Sequence, residues 1–350
     1  FDAVRGWNGA RVHTAVYTHG HVDHAYGLPP FLAEAHARGW APPRIVGHAN
    51  VLPRMQRYVV TAGYNSIINT RQFGVSTQWP VKYQAPTDTY TDHLELSVGG
   101  TRFELHHAKG ETDDHTWVWL PATKTLCTGD LFIWAAPNAG NPQKVQRYAV
   151  EWVSALRAMA ALGPELLLPG HGLPIAGVAR VREALLDTAA YLESLVRQTL
   201  DRLNAGETIY EILEAVRPPP ELEAKPYLRP VYDEPEFIVR NLWRCYGGWY
   251  SGVPSELKPS PRHALAREML SLAGGLERIL ERARSLLAAD DARMAAHLVD
   301  WAVDAEPASR EAHAVRAAIF RRLMDSASST MSKGIYAAAA RESAENQNKK

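Results

Sequence analysis

Thr18-His19-Gly20-His21-Val22-Asp23-His24 places three imidazoles and a carboxylate within six positions. Such a density is hard to bury without a metal, because every sequestered polar group needs a partner. In an extended segment His19 and His21 point to one side. After a turn Asp23 and His24 point to the other, so a single segment can serve two neighbouring metal ions. A helical zinc-protease motif is excluded, since that needs an i, i+4 histidine pair with an intervening Glu. Three further segments offer ligand-type side chains set among glycines. Gly110-Glu111-Thr112, Thr128-Gly129-Asp130 and Pro169-Gly170-His171-Gly172 each close an apolar run, where backbone without side chains can approach an ion. Any one alone reads as a loop; as an ordered set they support one another.

The elements that must position these residues are short and β-rich. Residues 12–17 alternate in polarity, residues 31–38 read as a helix and residues 44–47 as a second strand, a strand–helix–strand unit. Residues 94–98 and 102–106 flank Gly99-Gly100, the signature of a two-residue hairpin. Residues 117–120 and 125–127 form another pair, 147–162 an amphipathic helix and 165–168 a buried strand. Sheet pairs alternating with helices predict an α/β layered domain over residues 1–205. The Pro-rich stretch from Pro218 to Pro235 predicts a stiff linker within a connecting region, 206–254. Beyond it, apolar positions recur at three and four. Helices are expected over 178–204, 207–216, 234–246, 262–288, 291–304, 308–324 and 327–342, the last four making an all-α domain at 255–342. The polar residues 343–350 are expected to be disordered.

Composition narrows the partners. The 350 residues carry 38 Lys+Arg against 38 Asp+Glu, which leaves no basic footprint for nucleic acid or anionic membrane. No apolar run is long enough for a membrane span. Cys127 and Cys245 are too few for a disulfide framework and read as packed thiols. The start has neither an initiator Met nor a signal-peptide pattern, which suggests a fragment and leaves the compartment open, cytoplasmic or secreted.

The ordered set His19-x-His21-x-Asp23-His24, Glu111, Asp130 and Pro169-Gly170-His171-Gly172 resembles the ligand series of the metallo-β-lactamase-fold hydrolases. The turn that usually carries histidine reads Gly110-Glu111-Thr112 here, and this exchange resembles the alkylsulfatase branch. The bridge is Asp130, where many alkylsulfatases have Glu. Residues 64–74, 147–152, 233–241 and 246–250 are similar to further alkylsulfatase segments, and 272–336 to their helical dimerisation domain. The resemblance implies an αββα sandwich lacking its first strands, followed by an all-α domain that forms a homodimer. It implies two Zn²⁺ per chain, one held by His19, His21 and Glu111, the other by Asp23, His24 and His171, with Asp130 bridging. The ligand chemistry alone would also accept Mn²⁺ or Fe.

Two close divalent ions lower the pKa of a shared water towards about 7. The implied activity is that of a sulfuric ester hydrolase: a metal-bridging hydroxide, with Asp23 and Asp130 in the catalytic centre, cleaves linear alkyl sulfates to alcohol and sulfate. An anionic head needs cationic and amide donors; Asn138, Lys144 and Arg147 form one candidate group, Asn65 and Arg71 a second. Tyr64 and His115 are candidate proton donors, although His115 reads equally as a partner behind a ligand. Trp117, Trp119, Trp134 and Trp152 could line a tail channel, but aromatics on strands and helices are more often core. Two other readings compete: hydrolysis of a lactone, thioester or phosphoester on the same scaffold, and a silent dimerisation module with a structural metal. The second conflicts with seven ligand positions, because structural zinc sites usually close with four.

Overall fold

A computed structural model describes residues 1–348 and divides into two compact units. The first comprises Phe1–Asn65 and Gln78–Gly248. Its smaller sheet is parallel, in the order β1 (Thr14–Val16), β2 (Arg44–His48), β3 (Asp88–Tyr90). The larger sheet runs β4 (His93–Val98), β5 (Thr101–Ala108), β6 (His115–Leu120), β7 (Thr125–Ile133), β8 (Leu166–His171), β9 (Ile175–Ala176). The expected hairpin closes with Val98 opposite Thr101, and Gly99 and Gly100 take φ of +58° and +80°, a backbone that favours glycine at both turn positions.

Apolar layering holds the sheets together. Val46, Tyr90, Leu96, Leu105 and Val118 are buried in a cluster shared by strands of both sheets. Helix Val51–Val60 covers the smaller sheet, with Val51 and Met55 against Tyr17 and Ile45. Helices Ala149–Ala161 and Val178–Asn204 cover the larger one; Trp152, Leu156 and Met159 pack with Leu126, Leu131 and Leu167. The result is the αββα order expected. β7 and β8 are parallel, so helix Ala149–Ala161 serves as their crossover. β5 is antiparallel to β6 and β6 to β7, so β5, β7 and β8 all end on one edge of the sheet.

The Pro-rich stretch is not a bare linker. It folds onto the first unit, burying Leu228 in the main core and Asp233 completely. Asp233 accepts the backbone N–H of Gly140 (2.5 Å) and of Asn141 (3.3 Å), and so grips the loop after β7. Burial pushes its carboxyl up to about 7 against the opposing pull of these amides. Helix Pro235–Gly247 adds Asn241, whose amide donates to the Arg147 carbonyl (3.0 Å) and whose oxygen accepts the Arg147 N–H (3.2 Å). Gly140 is required here, since a Cβ would lie 2.4 Å from the Phe237 carbonyl carbon. Asp233→Ala would strand two buried amides, at about 1–3 kcal/mol each. We expect a fall in Tm of roughly 5–15 °C, read by thermal denaturation; an unchanged Tm would mean the loop does not depend on this anchor.

The second unit comprises Ser66–Thr77 and the chain from Trp249 onward. Helices Arg262–Ala273, Leu276–Ala288, Ala292–Ala305, Arg310–Ser326 and Thr330–Asn348 bury a core of Leu270, Leu280, Val299, Ile319 and Phe320. Ser66–Thr77 packs tightly on the last of these, where a Cβ on Gly334 would come within 2.1 Å of the Gln72 carbonyl oxygen. Three expectations are corrected. The helix predicted over 262–288 breaks in two, because Gly274 and Gly275 adopt φ of +88° and +106°. Residues 343–348, expected to be disordered, continue the last helix, with Ser343 buried beside Arg316; Lys349 and Lys350 lie outside the described residues. Cys245, read as packed, is exposed. Among the described residues no helix is long and apolar enough to cross a membrane.

Candidate metal centre

The loop after β1 meets the common end of β5, β7 and β8. Thr18 accepts the Thr116 N–H (2.6 Å), which ties that loop to the start of β6. Glycines permit the closest approaches. Gly129 has φ +51°, and a Cβ there would meet His115 Nε2 at 2.6 Å; a Cβ on Gly170 would meet Asp130 Oδ1 at 2.0 Å. His19, His21, Glu111 and Asp130 offer ligand atoms within 4.8 Å of one another, and Asp23, His24 and His171 form a second such group.

Asp130 touches both groups. Its carboxylate lies 3.9 Å from His19 Nε2, 3.2 Å from His24 Nε2 and 3.6 Å from His171 Nε2. His21 Nδ1 is 3.8 Å from Glu111 Oε1, and His24 and His171 sit 3.4 and 3.3 Å from Asp23 Oδ2. Burial, then the neighbouring rings of His21 and His115, hold His19 well below the usual imidazole range; burial and Arg147 do the same for His21. Both are neutral, the form that binds metal. His24 and His171 are drawn up to about 10, His24 against the cost of its burial, because Asp130 and Asp23 place negative charge beside them. Burial opposes ionisation of Asp23 and Asp130, yet hydrogen bonds with His171 and His24 hold both well below the carboxylate range.

The donor set fits divalent cations. Glu111 Oε2 is buried without a hydrogen-bond partner, and burial raises the Glu111 carboxyl well above its ordinary range. A buried carboxylate of this kind calls for a cation. Imidazoles with carboxylates suit Zn²⁺.

The surroundings of Glu111 are unusual. Asn138 Nδ2 donates to its Oε1, the Arg147 guanidinium lies 3.4 Å from the same oxygen, and Arg147 also donates to the Glu111 carbonyl. Asn138 and Arg147, expected to hold a substrate head, therefore both point at Glu111. Lys144 is half-buried with its ammonium 5.4 Å from the Trp79 ring centre; burial and Arg147 lower it to about 8, while Glu111 and Asp23 act to raise it. His115 is buried against His19, rings stacked at 4.5 Å, with Nε2 on the Thr128 carbonyl (3.1 Å) and a pKa lowered by burial to about 4. Tyr64 is 55% exposed on helix Ala62–Phe73. On that helix, Asn65 Nδ2 donates to the carbonyl and hydroxyl oxygens of Thr61, and Arg71 belongs to the second unit. Trp117, Trp119 and Trp152 are core, and Trp134 donates to the Leu173 carbonyl.

Sequence reading missed the anchor of the histidine loop. Asp114, fully buried, accepts the Gly20 N–H (2.8 Å) and receives Arg54 Nε (2.7 Å). Arg54 also pairs with Asp113. The signal available was an Asp-Asp-His run beside a metal motif; its partner, Arg54, lies 60 residues away.

Residues 2–171 match the family model of the metallo-beta-lactamase superfamily, and residues 208–346 that of alkyl sulfatase dimerisation. The chain thus joins a metallo-β-lactamase-superfamily domain to an alkyl sulfatase dimerisation domain. A linear primary-alkylsulfatase from Pseudomonas is 29% identical, covering 88% of this chain and 62% of that protein. An (R)-specific secondary-alkylsulfatase from Pseudomonas is 27% identical, and the alkyl/aryl-sulfatase BDS1 of Saccharomyces cerevisiae 25%, each over half its own length. The chain thus spans about half to three-fifths of the curated relatives it matches. In fold it superposes on the stereoselective inverting sec-alkylsulfatase Pisa1 from Pseudomonas with a TM-score of 0.88, at 22% identity, over 99% of this chain and 58% of that one.

Proposed function

We propose that this protein hydrolyses linear alkyl sulfate esters to alcohol and inorganic sulfate, using two Zn²⁺ per chain, as a homodimer joined through its helical domain. The observation that carries this reading is Glu111: a carboxylate stands inside the ligand cluster, and Asn138 and Arg147 are both spent on holding it. His19, His21 and Glu111 would hold one ion and Asp23, His24 and His171 the other, with Asp130 shared. When bound, two divalent ions would polarise a sulfate oxygen and make water nucleophilic near neutral pH. Asn138 and Arg147 orient Glu111, and Asp114 and His115 fix the loop and ring of His19. Lys144, in the field of Glu111 and Asp23, is a candidate cation for an anionic head. Tyr64, accessible to solvent, is the candidate donor to the departing alkoxide.

One zinc-loaded preparation assayed on alkyl sulfates, alkyl phosphates and lactones tests the reading. Release of sulfate from dodecyl sulfate supports it; turnover of another ester class alone overturns it. Hydrolysis in ¹⁸O-water assigns the broken bond, with label in sulfate for S–O and in the alcohol for C–O cleavage. Glu111→His is expected to keep metal but lose at least about tenfold in sulfatase rate, roughly 1.4 kcal/mol of barrier. An unchanged rate would remove Glu111 from tuning the site.

A further inference from the structure

The β4–β5 hairpin lies at the edge of the larger sheet and holds a second group of metal-ligating side chains. His93 on β4 stands directly opposite His106 on β5, their ring centres 4.6 Å apart. Glu104, two residues before His106, faces the same side of the sheet. The three residues present ligand atoms within 4.8 Å of one another. None of them belongs to the strand-end cluster, and the neighbouring His107 turns to the other face, stacking on His48 at 3.7 Å.

Three features set this group apart from a chance surface cluster. His106 Nε2 is buried without a hydrogen-bond partner, 3.7 Å from Glu104 Oε2. The plane of that ring is fixed by stacking on Trp117, at 4.0 Å and 12°. Glu104 is held by its other oxygen, which pairs with the Arg102 guanidinium at 2.9 Å, so Oε2 stays turned towards His106. Two imidazoles and one carboxylate are the ligand set of an open-sided zinc site, and they suit Ni²⁺ and Cu²⁺ as well.

We propose that His93, Glu104 and His106 bind a third divalent ion of the zinc class, which clips the edge strand β4 to β5. Because Arg102 offsets part of the Glu104 charge and only three protein ligands converge, this site fills after the strand-end cluster.

Zinc-loaded protein equilibrated with micromolar Zn²⁺ should carry one more ion per chain than His93→Ala treated identically, by elemental analysis. His93 is exposed on an edge strand, so its replacement leaves the fold and the alkyl sulfate rate unchanged. Added Zn²⁺ should raise the Tm of the wild type by more than that of His93→Ala or Glu104→Gln. Equal ion counts in the wild type and both variants overturn the proposal. The comparison is a difference, so it holds whatever the strand-end cluster contains.

Discussion

Asp130→Ala is expected to remove bound metal and to lower turnover by at least roughly 10³-fold, the equivalent of several kcal/mol of lost charge stabilisation. Asp130 is the carboxylate near both ligand groups, within 3.9 Å of His19, His24 and His171. Without it, the two groups lose their shared anion, and His24 and His171 lose the main negative charge that faces them. Elemental analysis of metal per chain and alkyl sulfate assays on the same preparation check both parts. Retention of two ions with full activity would show that Asp130 does not bridge. The variant should stay folded, because the layers under it are held by Leu131, Trp152 and Leu167, which it does not touch.

Asp114→Ala is expected to destabilise the first unit by about 3–5 kcal/mol, the cost of leaving a buried guanidinium without its partner. Arg54 is 3% exposed and keeps, of its two carboxylate partners, the one that is 37% exposed, Asp113, and the Gly20 N–H loses its acceptor. A Tm lower by roughly 6–20 °C follows for a unit of this size. Since Gly20 lies between His19 and His21, metal affinity should also fall by roughly 10–100-fold, as for other groups that orient ligands. Asp113→Ala should cost far less, because Asp113 is 37% exposed and already meets water. Equal effects of the two variants would mean that the buried pair does not hold the loop.

The gathering of ligand-type side chains was legible because they sit in short motifs, each next to the strand that ends there. The helix over 178–204 was legible for the same reason, its apolar positions recurring locally, and the observed helix is Val178–Asn204. Glycine pairs read differently according to what flanks them. Between two alternating runs, Gly99-Gly100 announced a hairpin, whereas Gly274-Gly275 inside a helical pattern passed for part of one long helix. A single helical period on both sides gives no local sign that the axis turns.

What the sequence by itself determined is therefore the set of donors and the strands that carry them: His19 to His24, Glu111, Asp130 and His171, each tied to a nearby run of apolar residues. Only the tertiary structure decided what those donors lean on. Arg54 reaches Asp114 across 60 residues, Arg147 reaches Glu111 across 36, and Asp233 reaches the Gly140 loop across 93. It also set Asn138 and Arg147, expected as substrate contacts, against Glu111. The reason is physical. A donor set is recognised by residue type and local spacing, but whether a buried charge faces a ligand or a substrate depends on which distant group completes its hydrogen bonds.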